Sequence, residues 1–218
     1  QRNILTVVVG GEQENTLGMF RGLSGMNTYV NLTSIDARFD FGEPGVLVSD
    51  DSYMSKIITE KPNNLKQFTN IGYQSYYISQ EELDLMQKLF FDAYRLGDIS
   101  ADIHESEPIL RDTDILSVDL NAVKASELDN PKGLPNGFDG AQICKLMRYA
   151  GLSDRLSVLG VFNIPDSQRT DQLLAQMIWY VFEGFCHRVN EYPFSTHEVC
   201  TKFVVPQDQT ELIFYRSE

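Results

Sequence analysis

Carboxylates gather in three short stretches of this chain, each just past an apolar run. Asp36 and Asp40 stand four residues apart in Ser34–Asp40, "SIDARFD", Asp119 lies in "SVDLN", and Glu12 and Glu14 flank Gln13 in "GGEQENT". Oxygen ligands at the carboxyl ends of neighbouring parallel strands converge on the crevice above the sheet, which is a common way to hold a hard divalent cation. Arg38, set between the two aspartates, does not belong in such a site. A fixed positive charge about 4 Å from a second unit charge costs about 4 kcal/mol at an effective dielectric near 20, and a divalent ion roughly doubles that.

The elements that must position these residues are legible from hydrophobic patterning. Ile4 to Val9, "ILTVVV", is a continuous apolar, β-branched run closed by Gly10-Gly11, the signature of a strand buried on both faces. Further strands are expected at Tyr29 to Ile35, Thr69 to Tyr77, Asp114 to Leu120 and Leu156 to Phe162, with a short one at Ile99 to Ile103. Helices are expected at Asn15 to Leu23, from Ser79 as N-cap to about Tyr94, at Glu105 to Asp112, Gly140 to Gly151 and Arg169 to Asn190. Phe203 to Val205 and Glu211 to Tyr215 suit a terminal hairpin or sheet edge. Strands alternating with helices of this length make βαβ units, hence an α/β fold with a mainly parallel sheet and helices on both faces.

Composition narrows the functions. The 218 residues carry 31 Asp and Glu against 18 Lys and Arg, a formal charge of −13, which disfavours nucleic acid and anionic membrane as partners. Cys144, Cys186 and Cys200 have neither metal-type spacing nor an even count, so a reducing, cytoplasmic location is expected. His104, His187 and His197 all lie away from the strand-end loops and read as surface or packing residues. No Gly-x-Ser-x-Gly elbow marks a nucleophile, and "VVVGGEQENT" lacks a nucleotide-binding glycine pattern. Trp179, Tyr180, Phe182 and Phe185 fall along one helix and suit core or subunit packing.

The order "VVVGGEQENT", "LTSIDARFDFG", "NIGYQ", "LSVDLNAVKASELDNP" and "VLGVFNIPD" resembles the ureohydrolases, the arginase, agmatinase and formimidoylglutamase group. Their motifs run Gly-Gly-Asp-His-Ser, Asp-Ala-His-x-Asp, Gly-x-Arg, Ser-x-Asp-x-Asp-x-x-Asp-Pro and Glu-x-Asn-Pro. The segments "LPNGFDGAQICKLMRYAGLSD" and "AQMIWYVFEGF" are most similar to formimidoylglutamase-like proteins of the Bacteroides lineage. The resemblance implies a three-layer α/β/α domain spanning 1–218, without the segment that precedes the first motif in the family, and self-association into homo-oligomers. The chemistry implied is hydrolysis of a guanidino or formimino C–N bond by water activated between two divalent ions, usually Mn2+.

Carried over position by position, Asp36, Asp40 and Asp119 match metal ligands of that family. Three others are replaced: Gln13 and Arg38 stand where histidines belong, and Asn121 where an aspartate belongs. The glutamate that grips the substrate falls on Phe162 or Asn163. Neutral amide oxygens are poor ligands for a transition metal. The sequence therefore predicts a vestigial site with no bound metal, in which the Arg38 guanidinium turns inward and satisfies the three aspartates by direct hydrogen bonds. An outward Arg38 would instead leave one weak site of oxygen ligands, from Asp36, Asp40, Asp119 and Glu12 or Glu14, able to take one hard ion such as Mn2+ if the ancestral site is partly retained. The expected function is a non-catalytic binding or scaffold subunit. Its ligand would be a small amidine or amino-acid-like molecule, with Asn163 and Asp129 as further contacts. The alternative is a metal-dependent hydrolase with an altered site.

Overall fold

The computed structural model describes residues 4–26, 28–42, 47–189, 200–207 and 210–217. Its centre is a sheet of six parallel strands: β1 (Thr6–Val9), β2 (Val30–Ile35), β3 (Leu65–Tyr73), β4 (Asp92–Arg95), β5 (Ile115–Asp119) and β6 (Val158–Phe162), in the order β1-β6-β5-β2-β3-β4. The helices are α1 (Asn15–Ser24), α2 (Tyr53–Thr59), α3 (Gln80–Lys88), α4 (Leu96–Ala101), α5 (Ser106–Leu110), α6 (Ala125–Leu128), α7 (Gly140–Leu152) and α8 (Gln168–Cys186). β7 (Cys200–Gln207) and β8 (Thr210–Ser217) pair as a separate antiparallel hairpin. Along it Phe203, Val204, Val205, Leu212, Ile213 and Phe214 are all exposed.

Two apolar layers sandwich the sheet, as period-two alternation requires when both faces are covered. Phe20, Leu32, Tyr53, Met54, Phe68, Met86 and Ile115 form one with α1, α2 and α3. Ile35, Leu116, Val118, Leu146, Met147, Leu159 and Val181 form the other with α4 to α8. The expected three-layer α/β/α fold is therefore present. α7 and α8 touch backbone to backbone at one end, where a Cβ on Gly151 would lie 2.3 Å from the Val181 carbonyl and one on Gly184 would lie 2.2 Å from that of Arg148.

Several boundaries differ from the sequence reading. The helix capped by Ser79 has the full reciprocal capping box with Glu82, yet it ends at Lys88. At Phe90, with φ 56°, the chain reverses, and 92–95 becomes edge strand β4 beside β3. Amphipathic spacing ran on through this segment because β4 is too short to show a strand period: Ala93 and Tyr94 are half-buried and Asp92 and Arg95 exposed. The expected strand at Ile99 to Ile103 is instead α4 and a 3-10 turn, Ile99 packing into the core. The short helix α2, carrying Tyr53, had no counterpart in the sequence reading. The last long helix, expected to run to Asn190, ends at Cys186 with His187 as its C-cap.

Candidate functional site

Strand order fixes where a site can form. From β2 the chain continues to β3 on one side, and from β5 to β6 on the other, so the crevice between the carboxyl ends of β2 and β5 is the switch point where α/β sheets bind ligands. Ser34 pairs in register with Ser117, and Ile35 with Val118. Ile35 and Val118 enter the α4–α8 layer, so Ser34 with Asp36, and Ser117 with Asp119, face the α1–α2 side. There they meet Gln13, just ahead of α1, and Tyr53, the first residue of α2.

Gln13 is fully buried. Its Nε2 donates to Ser34 Oγ (3.1 Å) and Ser117 Oγ (3.2 Å), and Thr16 Oγ1 lies 2.7 Å from Ser117 Oγ. Gly10 and Gly11, at φ 96° and 81°, give β1 the turn that brings this loop over the sheet. Asp119 is held by amides: Oδ1 accepts from the Asn121 backbone N–H at 2.7 Å, and Oδ2 from Asn163 Nδ2 at 3.0 Å and Asn121 Nδ2 at 3.4 Å. Asp36 Oδ1 accepts from the Arg38 backbone N–H at 2.9 Å.

Asp36, Asp40 and Asp119 are only 3%, 6% and 6% exposed. Burial, followed by the charge of Asp119, pushes Asp36 up to about 8. Burial raises Asp119 to about 6 against the pull of the Asn121 and Asn163 donors. Asp40 is held well above the usual carboxylate range by burial and then by Asp36. As carboxylates, Asp36 Oδ2 and Asp40 Oδ2 have no donor, nor has the Gln13 Oε1 acceptor. A proton carried by Asp40 and shared with Asp36 satisfies that pair, which is the sense in which each moves the other. The Tyr53 hydroxyl is buried against the same group, its ionisation suppressed by burial and by Asp40.

Arg38 contradicts the expectation placed on it. Its side chain is 47% exposed, Nη1 pairs with Asp51 Oδ1 at 3.2 Å, and the guanidinium lies 5.0 Å from the centre of the Tyr77 ring. Past Ile35 the chain leaves the strand for bends, so strand alternation no longer dictates direction. Only the Arg38 backbone serves the site, its carbonyl also accepting from Asn70 Nδ2 at 2.7 Å. Elsewhere the fold does neutralise a buried carboxylate with a guanidinium: Arg155 holds Asp114 through Nε (3.0 Å) and Nη2 (2.8 Å) at the opposite end of β5.

The other candidates divide. Of the two positions for the substrate-gripping glutamate, Asn163, at φ 52°, turns to Asp119, whereas Phe162 is buried in the core. Asp129 is exposed at the left-handed C-cap of α6, and no contact joins it to the three aspartates. Glu12 is exposed and Glu14 half-buried. His104 bonds Tyr149 and Lys145, His187 lies 2.7 Å from the Glu183 carbonyl, and His197 is outside the described residues. Among the described residues no three His, Cys, Asp or Glu side chains form a metal-ligand group. With Asp119 already committed to amide donors, the residues do not fit a pair of manganese ions. Ser34, Ser117, Thr16 and Tyr53 are site residues the sequence reading passed over. The first two were marked by the repeated Ser-x-Asp of "SIDA" and "SVDL".

No protein-family model matches the chain, and no curated protein sequence matches it. Solved structures do. Trypanosoma cruzi formiminoglutamase with Mn2+ superposes with a TM-score of 0.76 at 15% identity, over 84% of this chain and 65% of that one. Bacillus subtilis formimidoylglutamase gives 0.73 at 14%, over 85% and 62%. Entamoeba histolytica arginase in complex with L-ornithine gives 0.68 at 19%, over 82% and 69%. The chain thus has the arginase-like α/β fold, and it spans 65% and 62% of the length of the two formiminoglutamases.

Proposed function

We propose that this chain is a ureohydrolase-fold protein that binds rather than hydrolyses, and that its switch-point crevice receives the cationic group of a small amidine or amino-acid-like ligand. One observation carries the reading. Asp119, a metal-ligand position in the family it resembles, is bonded by the side-chain amides of Asn121 and Asn163, residues that stand where that family places a second metal-binding aspartate and, by one of two alignments, the substrate-gripping glutamate. Neutral amides do the work of positioning that metals do elsewhere.

What stays open is donor-hungry. Gln13 Oε1 has no donor, and Asp36 Oδ2 and Asp40 Oδ2 have only the proton they share, which amidinium or ammonium N–H groups of a ligand can replace and anions cannot. Asp50 and Asp51 add charge of the same sign, Asp50 acting on Asp119 and Asp51 on Asp40. Calorimetric titration with agmatine, arginine and formiminoglutamate tests the proposal, with product assays run on the same samples. Saturable binding of at least one, without turnover and lost in Asp36→Asn, is the expected result. Hydrolysis of any of them by the wild-type protein would overturn the non-catalytic reading in favour of a hydrolase with an altered site.

A further inference from the structure

A cavity of about 890 Å³ lies away from the carboxylates, between α6, α7 and α8, and shares no residue with them. α7 and α8 are in backbone contact at Gly151 and Gly184, near their C-terminal ends, and the cavity occupies the gap between their earlier turns. Gly140, Ala141, Cys144, Lys145 and Arg148 form one wall, and Arg169, Gln172, Leu173, Gln176 and Tyr180 the other. This volume is within the range of small-molecule sites.

Its charge runs against that of the molecule. In a chain of net charge −13, three cations, Lys145, Arg148 and Arg169, line one cleft beside a single carboxylate, Glu127. Arg148 pairs with Glu183 at 3.5 Å. Lys145 and Arg169 have no carboxylate partner among the described residues. Arg169 Nη1 donates to the Ser126 carbonyl at 2.8 Å, and Lys145 Nζ lies 3.1 Å from His104 Nε2, whose Nδ1 is 2.8 Å from the Tyr149 hydroxyl. Both side chains are therefore held by an imidazole and a carbonyl and not by a carboxylate. Leu173, Ala141, the Cys144 side chain and the Tyr180 ring supply apolar wall between the charges.

We infer that the cleft between α7 and α8 is a second binding site, for a small organic anion whose carboxylate or phosphate meets Lys145 and Arg169 while its apolar body rests on Leu173 and Tyr180. Cys144 serves as wall and not as nucleophile, burial having pushed its thiol up to about 11. The inference is independent of the carboxylate crevice and of any ligand proposed there.

Titration of the full chain with phenyl phosphate, benzoate and inorganic phosphate, at constant ionic strength in chloride, tests it. Saturable binding of an aromatic anion is expected, at least about tenfold tighter than inorganic phosphate because the apolar walls contribute. Preference for phenyl phosphate would identify a phosphate ligand, and preference for benzoate a carboxylate. Arg169 is exposed, so Arg169→Met should fold as wild type and weaken binding at least about fivefold, with Lys145→Met acting in the same direction. Asp36→Asn, in the other crevice, should leave the affinity unchanged. Absence of saturable binding by all three anions, or equal affinity in wild type and the Arg169→Met, Lys145→Met double variant, would overturn the inference.

Discussion

Arg38 and Asp36 separate two accounts of how a buried acidic cluster can exist. If the guanidinium neutralised the aspartates, truncating it would leave buried charge unpaired at a cost of about 3–5 kcal/mol. In the structure it makes an exposed pair with Asp51, so Arg38→Ala should cost about 0.2–1 kcal/mol in chemical denaturation. The neutralising agent is a proton, and that has a pH signature. Asp36 and Asp119 sit at about 8 and about 6 when folded against an ordinary 3.8, so the folded state holds protons the unfolded chain has released. Stability is then greatest at the acidic side of this window and falls as pH rises from about 4 through 6 and 8, by about 1.4 kcal/mol per pH unit for each proton retained. Thermal unfolding between pH 5.5 and 8.5 should show the decline, and Asp36→Asn should flatten its upper part. A melting temperature that climbs over this range would contradict protonated aspartates.

Among the elements, those bearing the site were the most legible. Apolar runs marked β1, β2 and β5; β2 and β5 are buried throughout, whereas β1, expected to be buried on both faces, is an edge strand exposed at Thr6 and Val9, and the Ser-x-Asp at the ends of β2 and β5 placed Asp36 and Asp119 on one side of the sheet. Less legible was anything decided after a strand ends. The outward course of Arg38, the turn that brings Asp40 back at φ 55°, and the approach of Tyr53 from α2 depend on contacts between segments distant in sequence. Edge strand β4 hid in a helical pattern for a related reason: too short to reveal its own period, it is defined by pairing with β3. The α7–α8 contact carries a prediction of its own. Gly184→Ala drives a methyl group against the Arg148 carbonyl and the Leu152 amide, and should cost about 1–3 kcal/mol in denaturant unfolding while leaving the isolated carboxylate crevice unaltered.

For the molecule as a whole, the proposal is that an arginase-like fold persists with a crevice put to a different use. Strand order sets the crevice between β2 and β5, and the core holds both helical layers, since these depend on apolar residues and not on the polar residues of the crevice. The charge of −13 acts at this scale too. Its self-repulsion is screened by salt, so raising sodium chloride from about 0.01 M, where the Debye length is about 30 Å, to about 0.15 M, where it is about 8 Å, should raise the melting temperature; a fall would show that attractive surface pairs dominate.

The most direct test of the central claim is manganese titration of the purified protein by calorimetry, with metal content measured after gel filtration. Carboxylates satisfied by amides and a proton predict no stoichiometric manganese, in the wild type as in Arg38→Ala. Stoichiometric, tightly held manganese in the wild type, displaced by Asp36→Asn, would contradict it and return the crevice to metal chemistry.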